Sequence, residues 1–167
     1  MDQYSGFLID SNVVIGLLVP DEELSSAAAD FVRKIGSDLG KKKRIFVSET
    51  SIEETAIVLL RKGYHPEDVQ KAITKFIFDP GVVVLKLSFL SFIKAVHKFH
   101  SKEEVKKKIR DNFLRTTDLT IAAHSLAIGV PLVTFDKNLY VSVRLYTPVF
   151  TADNIALLDK EKISSLS

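Results

Sequence analysis

Carboxylates at Asp10, Asp118 and Asp136, with Glu53 or Glu54 as a fourth, are the side chains of this sequence that could do chemistry together. Asp10 ends the apolar run Gly6-Phe7-Leu8-Ile9, and Asp136 directly follows Leu132-Val133-Thr134-Phe135; both runs have strand character. Asp118 stands before a stretch with almost no charge, Leu119 to Ile128, where an aspartate suits the start of a helix because its side chain accepts first-turn N–H groups. Glu53 and Glu54 fall in a helical segment from Ser48 to Lys62, and Ile57 and Val58, at i+3 and i+4 from Glu54, give that acid a partly apolar face. Singly, each acid has an ordinary reading: Asp118 as a cap, Asp10 and Asp136 as loop residues, Glu53 and Glu54 as solvated charges. Gathered, they do not. In a parallel sheet the strand ends share one edge, where ligands bind, so Asp10 and Asp136 lie close if their strands are neighbours. Carboxylates crowded there repel and raise one another's pKa. Such a cluster needs a cation, and oxygen donors alone suit Mg²⁺ or Mn²⁺.

The elements that must position these acids can be read in order. Gly6 to Ile9 is a first strand, and Ser11-Asn12 opens a short helix stopped at Pro20. Asp21 to Ile35 has helical spacing, with Leu24, Ala28, Phe31, Val32 and Ile35 on one face. Ile45-Phe46-Val47 is a second strand. Ser48 to Lys62 is acidic early and basic late, which suits the helix dipole, and Gly63 ends it. A further helix starts near Pro66, Val82 to Leu85 is a third strand, and Ser88 to about His100 is helical with Phe89, Phe92, Ile93 and Val96 facing inward. Ser101 to Arg115 is a charged helical stretch. Gly129 ends the apolar helix in the C′ position, and Pro131 cannot extend it. Tyr146 to Phe150 is a last strand, and Ile155 to Leu158 a short closing helix. Strands separated by helices argue for an α/β fold with a mainly parallel sheet and helices on both faces.

The chain has 167 residues, which predicts one domain, 1–167, with room for a substantial core. Net charge is only +2, so no global attraction to polyanions is expected. Without cysteine, disulfide scaffolds and thiolate metal sites are excluded. No apolar run reaches the length of a membrane span, so a cytoplasmic protein with no membrane partner is expected.

Three segments resemble PIN domains. FLIDSNVVIGLL looks like their opening strand and acid, SETSIEETAIVLLRKG is similar to their second acidic helix, and TTDLTIAAHSLAIGVPLVTFDKNL looks like their D-x-x-I-A-A … G-x-P-L-x-T-x-D segment. The resemblance runs from Phe7 to about Leu139, and its last segment is the most specific. It implies a three-layer α/β/α sandwich with the family's acids at Asp10, Glu54, Asp118 and Asp136, Glu54 being preferred to Glu53. Asn12 and Thr134 match polar positions lining the same pocket. The implied activity is a Mg²⁺- or Mn²⁺-dependent endoribonuclease, with Asp10 and Asp118 as direct ligands and Glu54 and Asp136 binding directly or through water. Many members are toxins of the VapC type held by a small antitoxin; others process RNA. Family members commonly pair, and Val14, Leu17 and Leu18 offer apolar surface for a homodimer. Asn138 departs from the pattern, since many members carry a fifth acid there, and the charged stretch from Phe99 to Arg115 is absent from the most compact toxins.

Two other readings compete. A phosphotransferase of the haloacid dehalogenase type also carries an acid after strand one, but it needs D-x-D, and here the second position is Asn12. A non-catalytic RNA- or protein-binding module with this fold is the alternative within the resemblance. Lys41 to Arg44, and Lys106, Lys107 and Lys108, could contact RNA phosphates or form solvated faces. His97 and His100 lack the companions of a zinc site, and His124, on the apolar helix, reads as a packed histidine.

Overall fold

The structure, a computed structural model, describes residues 4–20, 25–37, 43–86, 88–100, 116–144 and 146–152. Its strands are β1 (Gly6–Ile9), β2 (Arg44–Ser48), β3 (Val82–Leu85), β4 (Leu132–Val133) and β5 (Val149–Phe150). Its helices are α1 (Ser11–Leu18), α2 (Ser25–Ser37), α3 (Glu49–Arg61), α4 (Pro66–Ile77), α5 (Phe89–His100), α6 (Thr116–Ile128) and α7 (Lys137–Val143). The sheet runs β3-β2-β1-β4-β5 and every pairing is parallel. This is the α/β/α sandwich expected. Strand order reverses at β1, so β1 and β4, paired Ile9 to Val133, flank the switch point where an open parallel sheet leaves a crevice.

β1 is buried throughout, and its alternating side chains serve two cores. Phe7 and Ile9 pack with Val13, Val14, Ala28 and Phe31 on the α1 and α2 face. Leu8 packs with Ile121, Ala122, Leu132 and Leu139 on the α6 and α7 face. Gly6 lets β1 lie close on β2, because a Cβ there would run into the Arg44 carbonyl oxygen. Gly129, at φ +68°, takes the left-handed turn that ends α6, and the Val130 N–H closes it on the Ser125 carbonyl at 3.3 Å.

Several expectations change in detail. Thr116 and Thr117 are already helical, so Asp118 lies inside α6 and is not its cap. β4 is only Leu132–Val133, although the Thr134 N–H still reaches the Phe150 carbonyl at 3.0 Å. The residues after Asp136 form α7 rather than a loop, because Leu139 and Val143, one turn apart, both find the core. Ile93 turns outward while Ala95 is buried. Val14 is buried in the core, and Leu17 and Leu18 are partly buried against it. Lys41 and Lys42, residues 21–24, the charged stretch 101–115 and the closing helix at 155–158 lie outside the described residues. Among the described residues no helix is long and apolar enough to cross a membrane.

Candidate acidic site at the sheet switch point

Asp10 sits where β1 ends and caps α1, with Oδ1 accepting the Ser11 N–H at 2.7 Å. It is 4% exposed. Its Oδ2 accepts the Thr134 hydroxyl at 2.8 Å. Thr134, fully buried just past β4, uses its full bonding capacity: one hydrogen given to Asp10, two lone pairs taken by Asn12 Nδ2 at 3.3 Å and the Asp136 N–H at 3.1 Å. Asn12 Oδ1 accepts the Phe135 N–H at 3.2 Å, so that one amide ties α1 to the loop after β4.

α3 brings the glutamate. Ser48 caps it, accepting the Ser51 N–H at 2.9 Å. Ser51 and Thr55 are small, buried and satisfied within the helix, Thr55 donating to the Ser51 carbonyl at 2.7 Å, so that the helix approaches the start of α1 closely. Glu54 is half-buried and Glu53 exposed. The Ser11 hydroxyl donates to Glu54 Oε2 at 2.9 Å and lies 3.4 Å from Asp10 Oδ1, bridging the two carboxylates. Asp118 is half-buried.

Burial, first of all, pushes the Asp10 carboxyl up to about 6 from 3.8, against the hydrogen bonds of Thr134 and Ser11, with the charges of Glu54 and Asp118 adding to the rise. Asp10, Glu54 and Asp118 therefore share one electrostatic environment. Asp136 does not enter it on the same terms: it is exposed, and its Oδ1 caps α7 by accepting the Asn138 and Leu139 N–H groups at 2.7 and 3.1 Å. Among the described residues no three His, Asp or Glu side chains converge on one point as ligands of an ion.

A cavity of about 350 Å³ opens beside these acids, lined by Glu53, Glu54, Ile57, Arg61 and Thr117 among others. The Thr117 hydroxyl is buried without a hydrogen-bond partner. Lys43 and Arg44, weighed as phosphate contacts, stand at the start of β2, where Arg44 pairs with Gly6 at the start of β1. That is the sheet edge opposite the acids, and Lys43 is spent over the Phe7 ring, 5.6 Å from its centroid. Lys106, Lys107 and Lys108 lie outside the described residues. Sequence reasoning missed Ser11, a one-hydrogen bridge whose only signal was its place beside Asp10, and Arg61 and Thr117, which carried none.

Comparison with known proteins agrees with this topology. The crystal structure of VapBC2 from Rickettsia felis bound to a DNA fragment from their promoter superposes with a TM-score of 0.65 at 14% identity, covering 87% of this chain and 97% of that one. VapBC-1 from nontypeable Haemophilus influenzae gives 0.65 at 18%, covering 88% and 98%. The sarcin-ricin loop cleaving toxin VapC20 from Mycobacterium tuberculosis gives 0.61 at 16%, covering 82% and 95%. At such identities the likeness shows the fold. No curated protein matches in sequence. The family model described as PIN domain matches residues 7–143, most of the chain, and the chain belongs to the PIN domain family.

Proposed function

We propose that this protein is a Mg²⁺- or Mn²⁺-dependent endoribonuclease that hydrolyses RNA phosphodiester bonds, working in the cytoplasm as the toxin of a toxin–antitoxin pair. The observation that carries the reading is the Asp10 carboxyl, buried at the switch point and pushed up to about 6 beside two further acids. A carboxylate so placed is short of positive charge. The donor set fits a hard divalent ion, because every candidate ligand is a carboxylate oxygen. In this reading Asp10 and Asp118 hold the ion directly, and Glu54 and Asp136 directly or through water. Bound there, the ion supplies a water acidic enough to attack at neutral pH and neutralises charge on the phosphate.

The chain's own residues prepare the site. Thr134 and the Ser11 N–H bond one oxygen of Asp10 each, favouring its ionised form and fixing its direction. The Ser11 hydroxyl keeps Glu54 turned toward Asp10. Arg61 offers a cation to the RNA backbone from the neighbouring cavity, and Lys106, Lys107 and Lys108 are candidates for the same role by charge alone. The VapBC relatives support an antitoxin partner. A homodimer would draw on the exposed Leu90 and Ile93, three residues apart on α5.

The test is cleavage of single-stranded RNA by purified protein with Mg²⁺ or Mn²⁺, with EDTA and Asp10→Asn as controls. Cleavage that needs the ion and disappears in the variant is expected. RNA binding without cleavage in either ion would make the chain a non-catalytic module instead.

A further inference from the structure

Arg61 stands in the last turn of α3, exposed and, among the described residues, without an acid in ion-pair reach. Arg33 and Lys86, by contrast, are each held by a carboxylate, Asp30 at 2.9 Å and Glu49 at 3.7 Å. Arg61 lines the cavity of about 350 Å³ that Glu54 also lines, so one hollow joins a free guanidinium to a carboxylate of the acidic site. The two residues are two turns apart on α3, about 10 Å by helix rise, and with Ile57 and Val58 between them they follow one stripe of the helix. A helical side chain leans toward the helix N-terminus, so the Arg61 stem runs back along that stripe toward Glu54.

The two ends of this cavity differ in charge. Glu53 and Glu54 stand at one end, where an anion is repelled unless a metal ion is held with it. Arg61 stands at the other, and exposed Ile57 with half-buried Val58 makes an apolar stretch between them. A nucleic acid strand has the matching alternation: an anionic phosphate, the carbons of a sugar, then another anionic phosphate.

We propose that this cavity holds the nucleotide next to the scissile bond, with Arg61 on the neighbouring phosphate and Ile57 and Val58 against the ribose between, an assignment that rests on the ribonuclease reading. The two-turn span, less the reach of the Arg61 side chain, suits successive phosphates of an extended strand. A guanidinium gives a phosphate two parallel N–H bonds, which fix its direction as well as its position. A strand held at this second phosphate presents the first to the acids in one register. Arg61 is thus a positioning residue that takes no part in bond breaking. It reads no base edge, so the subsite is blind to sequence.

The experiment starts from a strand that the 167-residue protein selects, in Ca²⁺, from a randomised pool of single-stranded RNA. The strand is cut in Mg²⁺, the cut is mapped, and the strand is remade with one uncharged methylphosphonate at each step on either side of the cut in turn. Wild type should lose about tenfold or more in kcat/KM when the neutral group lies one step from the cut on one side. Arg61→Gln should show that loss on the all-phosphate strand and no further loss on the substituted one. Losses that simply add overturn the assignment. So does a variant that cuts and binds RNA as wild type does, which leaves Arg61 to a carboxylate of a partner protein. Salt titration of binding in Ca²⁺ separates the two readings, since Arg61→Gln should lower the slope by about 0.7. That drop in a protein that cuts nothing in Mg²⁺ refutes the nuclease reading and keeps the phosphate contact; cleavage with slope and rate unchanged in the variant does the reverse.

Discussion

Asp10 and Asp136 each follow an apolar strand, on strands that pair side by side, and both are tied to the same Thr134 hydroxyl. Asp10 is nevertheless buried between α1 and α3, with two acids near it and its pKa raised. Asp136 faces solvent and gives one oxygen to two N–H groups of α7. The difference comes from the element that each strand leads into. After β1 the chain enters a helix covered by α3; after β4 it enters a short helix on the surface, where a helix dipole and solvent both stabilise an anion. Two residues with the same local signal thus stand in opposite surroundings: Asp10 is buried with its carboxyl pushed up, and Asp136 is exposed with one oxygen capping α7.

The widest separation between them should be in activity. Asp10→Asn is expected to lower metal-dependent RNA cleavage by about 10³-fold or more, the scale of losing a main electrostatic element of a site, and Asp136→Asn by far less. Equal losses in single-turnover assays would break the contrast.

Stability against pH should separate them next. The folded state binds the Asp10 proton more tightly than the unfolded chain does, since the pKa rises from 3.8 to about 6. Its contribution is fully present below pH 3.8 and lost as pH rises through about 6, in all about 3 kcal/mol. In metal-free urea titrations across this window, Asp10→Asn should lack that loss and Asp136→Asn should keep it.

Thr134→Val reaches both acids at once. It removes the donor to Asp10 and leaves Asn12 Nδ2 and the Asp136 N–H without their acceptor, at about 2 kcal/mol in urea unfolding. Asp10 should then titrate higher still, because the Thr134 bond is what lowers it most. The smallest effect is the cap: Asp136→Ala should cost about 1 kcal/mol and Asp136→Asn less, since asparagine caps nearly as well.

Much of this arrangement was legible in the residues. Apolar runs ending in acids marked β1 and β4, and the uncharged Ile121 to Ala123 announced a buried helix. Gly129 and Pro131 marked its end because only certain backbones accept their geometry. What was hidden depends on contacts between distant segments. Nothing local says that Ser11 will meet Glu54, or that Lys43 and Arg44 will stand on the sheet edge away from the acids. Asp136, Leu139 and Val143 spell α7, a cap and two core positions one turn apart, but an acid after an apolar run carries the signal of a site and of a cap alike. Asp118 is not a cap because Thr116 and Thr117 extend the helix ahead of it.

The central claim is that Asp10 sits in a site built for a cation, and its own carboxyl carbon reports this most directly. A ¹³C NMR titration of that carbon, without divalent ions and then with 10 mM Mg²⁺ against NaCl of equal ionic strength, needs no substrate. The account predicts a midpoint near pH 6 in metal-free protein, falling below the ordinary 3.8 when Mg²⁺ is added and hardly moving in NaCl. A metal-free midpoint already near 3.8, or one that Mg²⁺ shifts no further than NaCl does, would contradict it.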